Sequence, residues 1–135
     1  MASRAETVCV DPKEVERIWP HVAPLIKRAY ERQACLDDFA AVERKVLKGP
    51  ALLWLAWDGE ILGAAITELW MRDCGKVCAI LACGGRNFWR WRHCIKAIEQ
   101  FARDEGCSLI HFEGRKGWQR VLPDYSTRMI LEKKL

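Results

Sequence analysis

The stretch that decides the fold is residues 76–106, KVCAILACGGRNFWRWRHCIKAIEQFARDEG. It opens with an apolar run of strand length, residues 77–83, and passes through Gly84 and Gly85 into a segment with the apolar spacing of one helix face. The positions of that face are Trp91, Cys94, Ile95, Ile98, Phe101 and Ala102. We therefore predict a strand, a glycine turn and a helix in this order.

The predicted turn has several features that suit an anion. Asn87 is the expected N-cap of the helix, which would leave the backbone N–H groups of Trp89 and Arg90 at the positive helix end. Arg86, Arg90 and Arg92 crowd the same end, where each cation costs about 0.3–1 kcal/mol unless a negative group lies nearby. Either these arginines are solvated, or they pair with a phosphate or carboxylate of a ligand.

The composition is that of a folded chain with one domain and one core. With 135 residues, half of them hydrophobic and seven of them Trp, a disordered chain is excluded. Two segments without acids, residues 84–93 and 114–120, contain Arg86, Arg90, Arg92, Arg115, Lys116 and Arg120. The other 16 cations are outnumbered by the 18 acids, so the excess positive charge of the chain lies in these two segments. If both follow strands that end on the same side of a sheet, they form one basic patch.

The cysteines and the hydropathy pattern limit the class of protein further. The seven cysteines are scattered and lack a C-x-x-C pair, which favours reduced thiols and disfavours a zinc site built from Cys74, Cys78 and His111. No apolar run approaches the ~20 residues of a membrane span. The N-terminal residues lack the apolar centre of a secretory signal. We expect a cytoplasmic protein with no metal site and no membrane contact.

Helix signals precede the central stretch. Residues 11–14 combine a cap, a proline and an acid at a helix start, and the apolar positions that follow are interrupted at Pro20 and Pro24. We predict a short helix, a break between the two prolines, and a second helix. Asp37 and Asp38 are the predicted caps of a further helix.

The strand signals predict a sheet around the central stretch. Asp58-Gly59 lies between two apolar runs and is a strong hairpin signal. The segment after the central helix should return parallel to the central strand through a right-handed crossover. A helix of about two turns is expected at residues 116–122. The predicted strands are residues 51–57, 60–70, 77–83, 108–113 and 125–131.

This order of elements, together with four motifs, resembles the GNAT superfamily of N-acetyltransferases. The motifs are LWLAWDG at residues 53–59, KVC at 76–78, CGG at 83–85 and EGRKGWQRVL at 113–122. Within the superfamily they are similar to the short GNAT-like proteins of tailed phages and prophages. The resemblance implies a single α+β domain over residues 1–135 with a GNAT-like (acyl-CoA N-acyltransferase) fold, a mixed and mostly antiparallel sheet flanked by helices.

The resemblance also implies acetyl-CoA in a wedge between residues 77–83 and 108–113, its pyrophosphate on the turn before the long helix. The cofactor-binding candidates are Cys83, Gly84, Gly85, Arg86, Asn87, Trp89 and Arg90. GNAT enzymes carry Arg or Gln, two residues, Gly, one residue, then Gly or Ala in this turn. Trp89 and Trp91 stand at the positions of the small residues. Either Gly84 and Gly85 replace them, with arginines binding the phosphates, or the site has lost its cofactor.

Three residues are candidates for catalysis of amine acetylation, which needs a base for the amine and an acid for the departing thiolate. Glu113 shares a strand face with His111 and is the preferred base, followed by Glu68. Tyr125 is the candidate acid, since many GNAT enzymes place a tyrosine near the short helix. The structural alternatives are a Glu113 that is solvated or paired with Arg115, and a Tyr125 that only packs at a strand start.

The sequence therefore predicts an acetyl-CoA-dependent N-acyltransferase that acts on a small-molecule or protein amine. The alternative is a degenerate GNAT scaffold that binds a virion or host protein, or a single-stranded nucleic acid through the basic and aromatic residues 86–92. In that segment Trp89 lies off the apolar helix face, and each stacked base would contribute about 1–3 kcal/mol. A homodimer is compatible with either function. A phage-encoded chain would act in the host cytoplasm or associate with the virion.

Overall fold

The computed structural model describes residues 5–31 and 38–135. The strands are β1 (Glu6–Cys9), β2 (Leu52–Trp57), β3 (Ile61–Arg72), β4 (Gly75–Gly85) and β5 (Leu109–Phe112). The α-helices are α1 (Val15–Glu31), α2 (Phe39–Leu47), α3 (His93–Asp104) and α4 (Trp118–Val121). A 3-10 turn, Phe88–Arg90, lies between β4 and α3.

The strands form one mixed sheet in the order β1-β2-β3-β4-β5. Neighbours from β1 to β4 are antiparallel, and β5 is parallel to β4. The predicted hairpin about Asp58-Gly59 joins β2 to β3, with Gly59 at a φ of 73°. The parallel return of the chain through α3 is also as predicted. The α+β class, with a mixed and mostly antiparallel sheet flanked by helices, is therefore confirmed.

The sheet divides the apolar core into two layers instead of the single core expected from the chain length. On one side, α1 and α2 cover the sheet with side chains that include the fully buried Val22 and Ile26. On the other side, α3 covers it with Cys94, Ile95 and Ile98. We call these sides the α1 face and the α3 face. Each fully buried aliphatic side chain contributes about 1.5–3 kcal/mol, so both helix faces are held mainly by burial.

The prediction of a break within the first helix is wrong, because α1 runs without interruption through Pro20 and Pro24. Proline at position i removes the hydrogen bond to the carbonyl of residue i−4. The two carbonyls concerned belong to Glu16 and to Pro20 itself, and both residues are exposed. Water can therefore satisfy them, while the buried side of the helix keeps its packing. The proline pattern alone does not reveal which side of the helix loses its bonds.

The start of α2 is as predicted. The Asp38 carboxylate accepts a hydrogen bond from the backbone N–H of Ala41 at 2.9 Å, which is the N-cap geometry. Val42 and Val46 are buried and pack on the α1 face. Asp37, the other predicted cap, lies outside the described residues.

At the ends of the chain, the sequence predicts one strand wrongly and does not reveal another. Residues 125–131 belong to the described range 38–135 but form no strand there. Their apolar residues Met129, Ile130 and Leu131 are contiguous and exposed, so they offer no alternating face for a sheet. At the other end, β1 pairs with β2 although its four residues are too few for a recognisable alternation.

Candidate active site

β4 and β5 separate partway along their length. Their parallel pairing ends at Ile80 and Phe112, and β4 continues to Gly85 without a partner in β5. Beyond this point lies a cleft with a volume of about 90 Å³. Cys83, Gly84 and Gly85 form its β4 side. Side chains of α1, the 3-10 turn and α4 form the rest, together with Trp91 and Arg115. We call it the β4–β5 cleft.

Two exposed arginines line the β4–β5 cleft, Arg28 of α1 and Arg115 of the segment before α4. Within residues 5–31 and 38–135, neither forms an ion pair with a carboxylate. The cleft therefore has a positive rim that suits a phosphate. Arg115 belongs to the basic segment 114–120 recognised in the sequence. Arg28 was not recognisable, because only the packing of α1 against β4 brings it to the cleft.

Aromatic rings narrow the β4–β5 cleft. The ring of Phe88 lies 4.6 Å from that of Trp91 and 4.9 Å from that of Trp118, both edge to face. Trp118 also contacts Phe112, with ring centroids 4.8 Å apart. Such pairs contribute about 0.5–1.5 kcal/mol each beyond their burial. The cleft is open at its rim and closed by rings towards the α3 face.

The turn after β4 differs from the prediction. Asn87 has a left-handed φ of 52°, precedes only the 3-10 turn, and makes no side-chain cap bond. The long helix α3 starts later, at His93. The backbone N–H of Arg90 donates to the Asn87 carbonyl, and the first donors of α3 bond to the carbonyls of Trp91 and Arg92. The Arg90 N–H is therefore used within the turn, so it is not free for the anion predicted at the helix start.

Two arginines of this turn are paired with the protein's own carboxylates. Arg90 Nη2 lies 2.6 Å from Asp58 Oδ2, and their side chains are only 26% and 18% exposed. Arg86 Nη2 lies 3.6 Å from Glu60 Oε1, and both side chains are more than half exposed, 57% and 60%. Exposed pairs contribute about 0–1 kcal/mol, so Arg86 can exchange Glu60 for a ligand phosphate. Arg90 instead fastens the turn to the β2–β3 hairpin.

Trp91 occupies the place where the resemblance calls for a small residue. Its ring is buried and its Nε1 donates to the Arg86 carbonyl at 2.7 Å. A Cβ added to Gly63 would lie 2.6 Å from this ring, and one added to Gly85 would lie 3.0 Å from it. Glycines in the neighbouring strands thus make the room that the turn itself lacks. Trp89 is 68% exposed, off the buried face as predicted.

The two predicted bases lie in one chain of polar contacts on the α1 face. Glu68 accepts a hydrogen bond from Trp70 Nε1 at 2.6 Å and lies 3.6 Å from Lys45 Nζ. The Trp70 ring lies 5.6 Å from the ring of His111, whose Nε2 is 3.2 Å from Glu113 Oε1. Glu113 directly follows the last residue of β5. The structure therefore brings both carboxylates to the region where β4 and β5 separate.

Tyr125 lies elsewhere, against α3. Its hydroxyl donates to Glu99 Oε2 at 2.7 Å. Burial, together with this hydrogen bond, raises the pKa of Tyr125 far above that of a free tyrosine. A second tyrosine, Tyr30 at the end of α1, has its hydroxyl 3.4 Å from the carbonyl oxygen of Leu81 in β4. Tyr30 directly follows the helix residues that line the cleft, and sequence patterns gave it only a packing role.

The cysteines near the β4–β5 cleft act as apolar side chains. Burial raises the pKa of the Cys83 thiol to about 12, so it is neutral at physiological pH and unsuited to act as a nucleophile. Cys78 packs on the α3 face, whereas His111 lies on the α1 face, so the zinc alternative lacks a common site. In the described part of the chain, no group of three His, Cys, Asp or Glu residues is placed to hold a metal ion. None of its helices combines the length and hydropathy needed to cross a bilayer.

No protein-family model and no curated protein sequence matches the chain. Solved structures do match. An aminoglycoside acetyltransferase from an uncultured soil metagenomic sample, in complex with trehalose, has a TM-score of 0.70 at 10% identity, over 97% of this chain and 95% of its own.

Two further structures have comparable scores. AAC(6')-Iy in complex with the bisubstrate analogue CoA-S-monomethyl-acetylneamine has a TM-score of 0.68 at 17% identity, over 98% of this chain and 99% of its own. A ribosomal-protein-alanine N-acetyltransferase from Brucella melitensis biovar Abortus 2308 has a TM-score of 0.62 at 13% identity. The match covers 97% of this chain and 96% of that one. Likeness at such low identity establishes the fold and leaves function to the site. The chain has the fold of the GNAT N-acetyltransferases.

Proposed function

We propose that the protein is an N-acyltransferase with acetyl-CoA as the acyl donor and an amine as the acceptor. The observation that carries this proposal is the separation of β4 from β5, which leaves a cleft with a positive rim beside two carboxylates. One structure of the same fold was solved with a CoA-based bisubstrate analogue, and others are named as acetyltransferases of aminoglycosides or of a ribosomal protein. These names support the donor and the reaction class.

The backbone and charge of the β4–β5 cleft fit the donor. Beyond Ile80 the β4 edge has no partner in β5, so its N–H and C=O groups can bond to the amides of an extended ligand arm. Gly84 keeps this edge close to α1, since an added Cβ would lie 2.8 Å from the Leu25 carbonyl. Arg28 and Arg115 would hold the phosphates, and the donor itself supplies the thioester.

The turn after β4 supplies the outer part of the proposed donor site. Cys83, Gly84 and Gly85 line the cleft and offer their backbone groups to the donor. Arg86 would add a third guanidinium beside those of Arg28 and Arg115. Asn87 and Trp89 lie further along the turn, where the exposed Trp89 ring would stack on the adenine. Arg90 contributes through its ion pair with Asp58, which fixes the turn.

The volume of the cleft requires that its rings move when the donor binds. About 90 Å³ is well below the ~300–1,000 Å³ of ordinary ligand pockets. Phe88 and Trp118 are the rings that close the cleft, and α4, which carries Trp118, has only four residues. We therefore expect α4 to shift and Trp118 to report on binding.

The acceptor chemistry is assigned to the α1 face. Glu68 and Glu113 would attract a cationic amine to the point where the strands separate. For the departing thiolate we propose Tyr30 as proton donor in preference to Tyr125, because Tyr30 directly follows the α1 residues that line the cleft, whereas Tyr125 lies against α3. The acceptor is a small-molecule or protein amine.

Binding of coenzyme A tests the proposal directly. Tryptophan fluorescence should change on titration with coenzyme A, since Trp91 and Trp118 line the cleft. The double variant R28A/R115A should bind at least 10-fold more weakly, because a charge-assisted hydrogen bond contributes about 1.5–3 kcal/mol. Arg17→Ala, on the exposed side of the same helix, is the matched control and should bind within about 2-fold of the native protein. Equal affinity in both variants, or no binding at all, would overturn the donor site.

Activity is then measured as thiol release from acetyl-CoA with a panel of amines. The acceptors should include an aminoglycoside and a peptide with a free N-terminus, since neighbours of the same fold are named for such substrates. Release that depends on both the amine and on Arg28 and Arg115 supports the transferase. Binding of coenzyme A without release in any amine would support the degenerate scaffold instead.

The nucleic-acid alternative depends on Trp89, whose exposed ring stands between two arginines in the sequence. Because Arg90 is held by Asp58 in a partly buried ion pair, the segment has less free positive charge than its sequence indicates. Nucleic-acid binding is therefore our second candidate function. Binding to a virion or host protein, phage origin, cytoplasmic location and a homodimer remain predictions from the sequence.

A further inference from the structure

We propose that His111 is the base that takes a proton from the acceptor amine, and that Glu113 positions its imidazole. The proposal rests on the acyltransferase function proposed above and names a residue of the same site. It changes the role of Glu113 from base to positioning residue.

His111 lies at the right place in the sheet. It pairs with Ala79, one residue before the parallel ladder ends at Ile80 and Phe112. Its neighbours Ile110 and Phe112 pack on the α3 face, so strand alternation directs His111 to the α1 face. The α1 wall of the β4–β5 cleft is on the same side of the sheet, so the imidazole shares that side with the cleft without lining it.

Glu113 determines which nitrogen of the imidazole carries the proton. Nε2 lies 3.2 Å from Glu113 Oε1, and an ionised carboxylate can only accept, so Nε2 donates. In the neutral ring, Nδ1 then keeps its lone pair. Among the described residues, no group bonds to Nδ1. The His111 side chain is 31% exposed, so the ring is partly open to solvent.

The same division of roles occurs in Ser-His-Asp triads, where a carboxylate fixes one imidazole nitrogen and the other nitrogen acts as base. Here the Trp70 ring supports the imidazole from β3, with its own Nε1 held by Glu68. The ring orientation is therefore fixed from two strands.

Charged groups of three strands lie near the imidazole. Glu113 contacts it directly, and Glu68 accepts a hydrogen bond from Nε1 of the adjacent Trp70 ring. The cations nearby have other partners, since Lys45 pairs with Glu68 and the Arg72 guanidinium lies over the Trp70 ring at 4.6 Å. Among the described residues, Glu113 is thus the charged group in direct contact with the imidazole.

The proton balance of the reaction is complete with this base. A primary amine arrives as an ammonium group with three protons. His111 Nδ1 takes one and passes it to water, and the freed nitrogen lone pair attacks the acyl carbon. As the C–N bond forms and the C–S bond breaks, Tyr30 gives its proton to the departing sulfur and takes one from the amine nitrogen, which keeps the other as the amide N–H.

The kinetic test compares His111→Gln with His21→Gln, an exposed histidine of α1. His111→Gln should lower kcat about 10²–10⁴-fold and leave coenzyme A binding within about 2-fold, since general base catalysis contributes that much. It should also abolish the rise of kcat/KM between pH 5 and 8, whereas His21→Gln should retain it. Glu113→Gln should lower kcat and leave coenzyme A binding within about 2-fold, because the imidazole loses the carboxylate that fixes its tautomer. A kcat of His111→Gln within 3-fold of native, with the same pH profile, would overturn the proposal.

A second readout does not depend on turnover. Nitrogen NMR of the imidazole rings, assigned with His111→Gln, should show the Nε2–H tautomer for His111 and a response to Glu113→Gln. The Nδ1–H tautomer, or no response, would refute the positioning role. If native protein shows the expected tautomer but acetylates no amine, the transferase function and the base assignment fall together, and the ring geometry stands as a structural feature.

Discussion

Replacement of Gly63 by alanine tests how the turn after β4 accommodates Trp91. The added Cβ would lie 2.6 Å from two ring carbons of Trp91, whereas carbon atoms normally approach to about 3.5–4.0 Å. The buried ring must shift by about 1 Å, and such overpacking costs about 1–3 kcal/mol. The shift also strains the bond from Trp91 Nε1 to the Arg86 carbonyl, which contributes a further ~0.5–1.5 kcal/mol. We expect a total loss of about 2–4 kcal/mol.

Urea unfolding followed by circular dichroism measures this loss, and thermal unfolding should show a Tm lower by roughly 6–15 °C. Gly117→Ala is the matched control, because no heavy atom lies within 4 Å of its added Cβ and its φ is −58°. That variant should stay within about 0.5 kcal/mol of the native protein. If the ring is the cause, Trp91→Phe should recover at least about 1 kcal/mol in the double variant. A loss below 0.5 kcal/mol in Gly63→Ala, or additive effects in the double variant, would refute the reasoning.

Three further predictions follow from contacts of the same region. Asp58→Asn should lower the free energy of unfolding by about 1–2 kcal/mol, between the values for exposed and buried ion pairs, because it leaves the half-buried Arg90 without its partner. Glu60→Gln, which breaks an exposed pair, is the control, and an equal effect of both would contradict the role of burial. Burial raises the pKa of Cys83 to about 12, above its ordinary value of 9.0, so the folded state keeps a proton that the unfolded state releases. The urea midpoint should therefore be constant below pH 9 and fall from pH 9 towards pH 12, and a flat profile would speak against a buried thiol. Coenzyme A should still bind in 200 mM salt, whereas single-stranded oligonucleotides should bind weakly. Oligonucleotide binding that falls steeply with salt and is abolished by Trp89→Ala would favour the nucleic-acid alternative.

Local signals predict the fold well where they agree with burial. The Asp58-Gly59 hairpin and the apolar face of α3 are such cases, because turn chemistry and helix spacing are properties of a few neighbouring residues. The start of α3 is not predicted correctly by local signals, since the aromatic residues after Asn87 first form a 3-10 turn. The uninterrupted α1 shows that a local pattern is not enough. The cost of a proline depends on whether the carbonyl that loses its hydrogen bond faces water or protein.

The candidate site could be predicted only where strand geometry decides it. His111 and Glu113 share a face because side chains alternate along a strand, and that much is readable from the sequence. The ion pair between Arg90 and Asp58 joins residues 32 positions apart, so the sequence shows two charges and not their neutralisation. Tyr30 reaches β4 through helix packing, for which no local pattern exists.

The two prolines of α1 have a mechanical consequence for the cleft. Two missing backbone bonds on one side of a helix lower its resistance to bending towards the other side. The part of α1 beyond Pro24 carries Leu25, Arg28 and Ala29, which form one wall of the cleft. We expect this end of the helix to bend towards the sheet, which moves its wall of the cleft closer to β4 while the sheet keeps its shape.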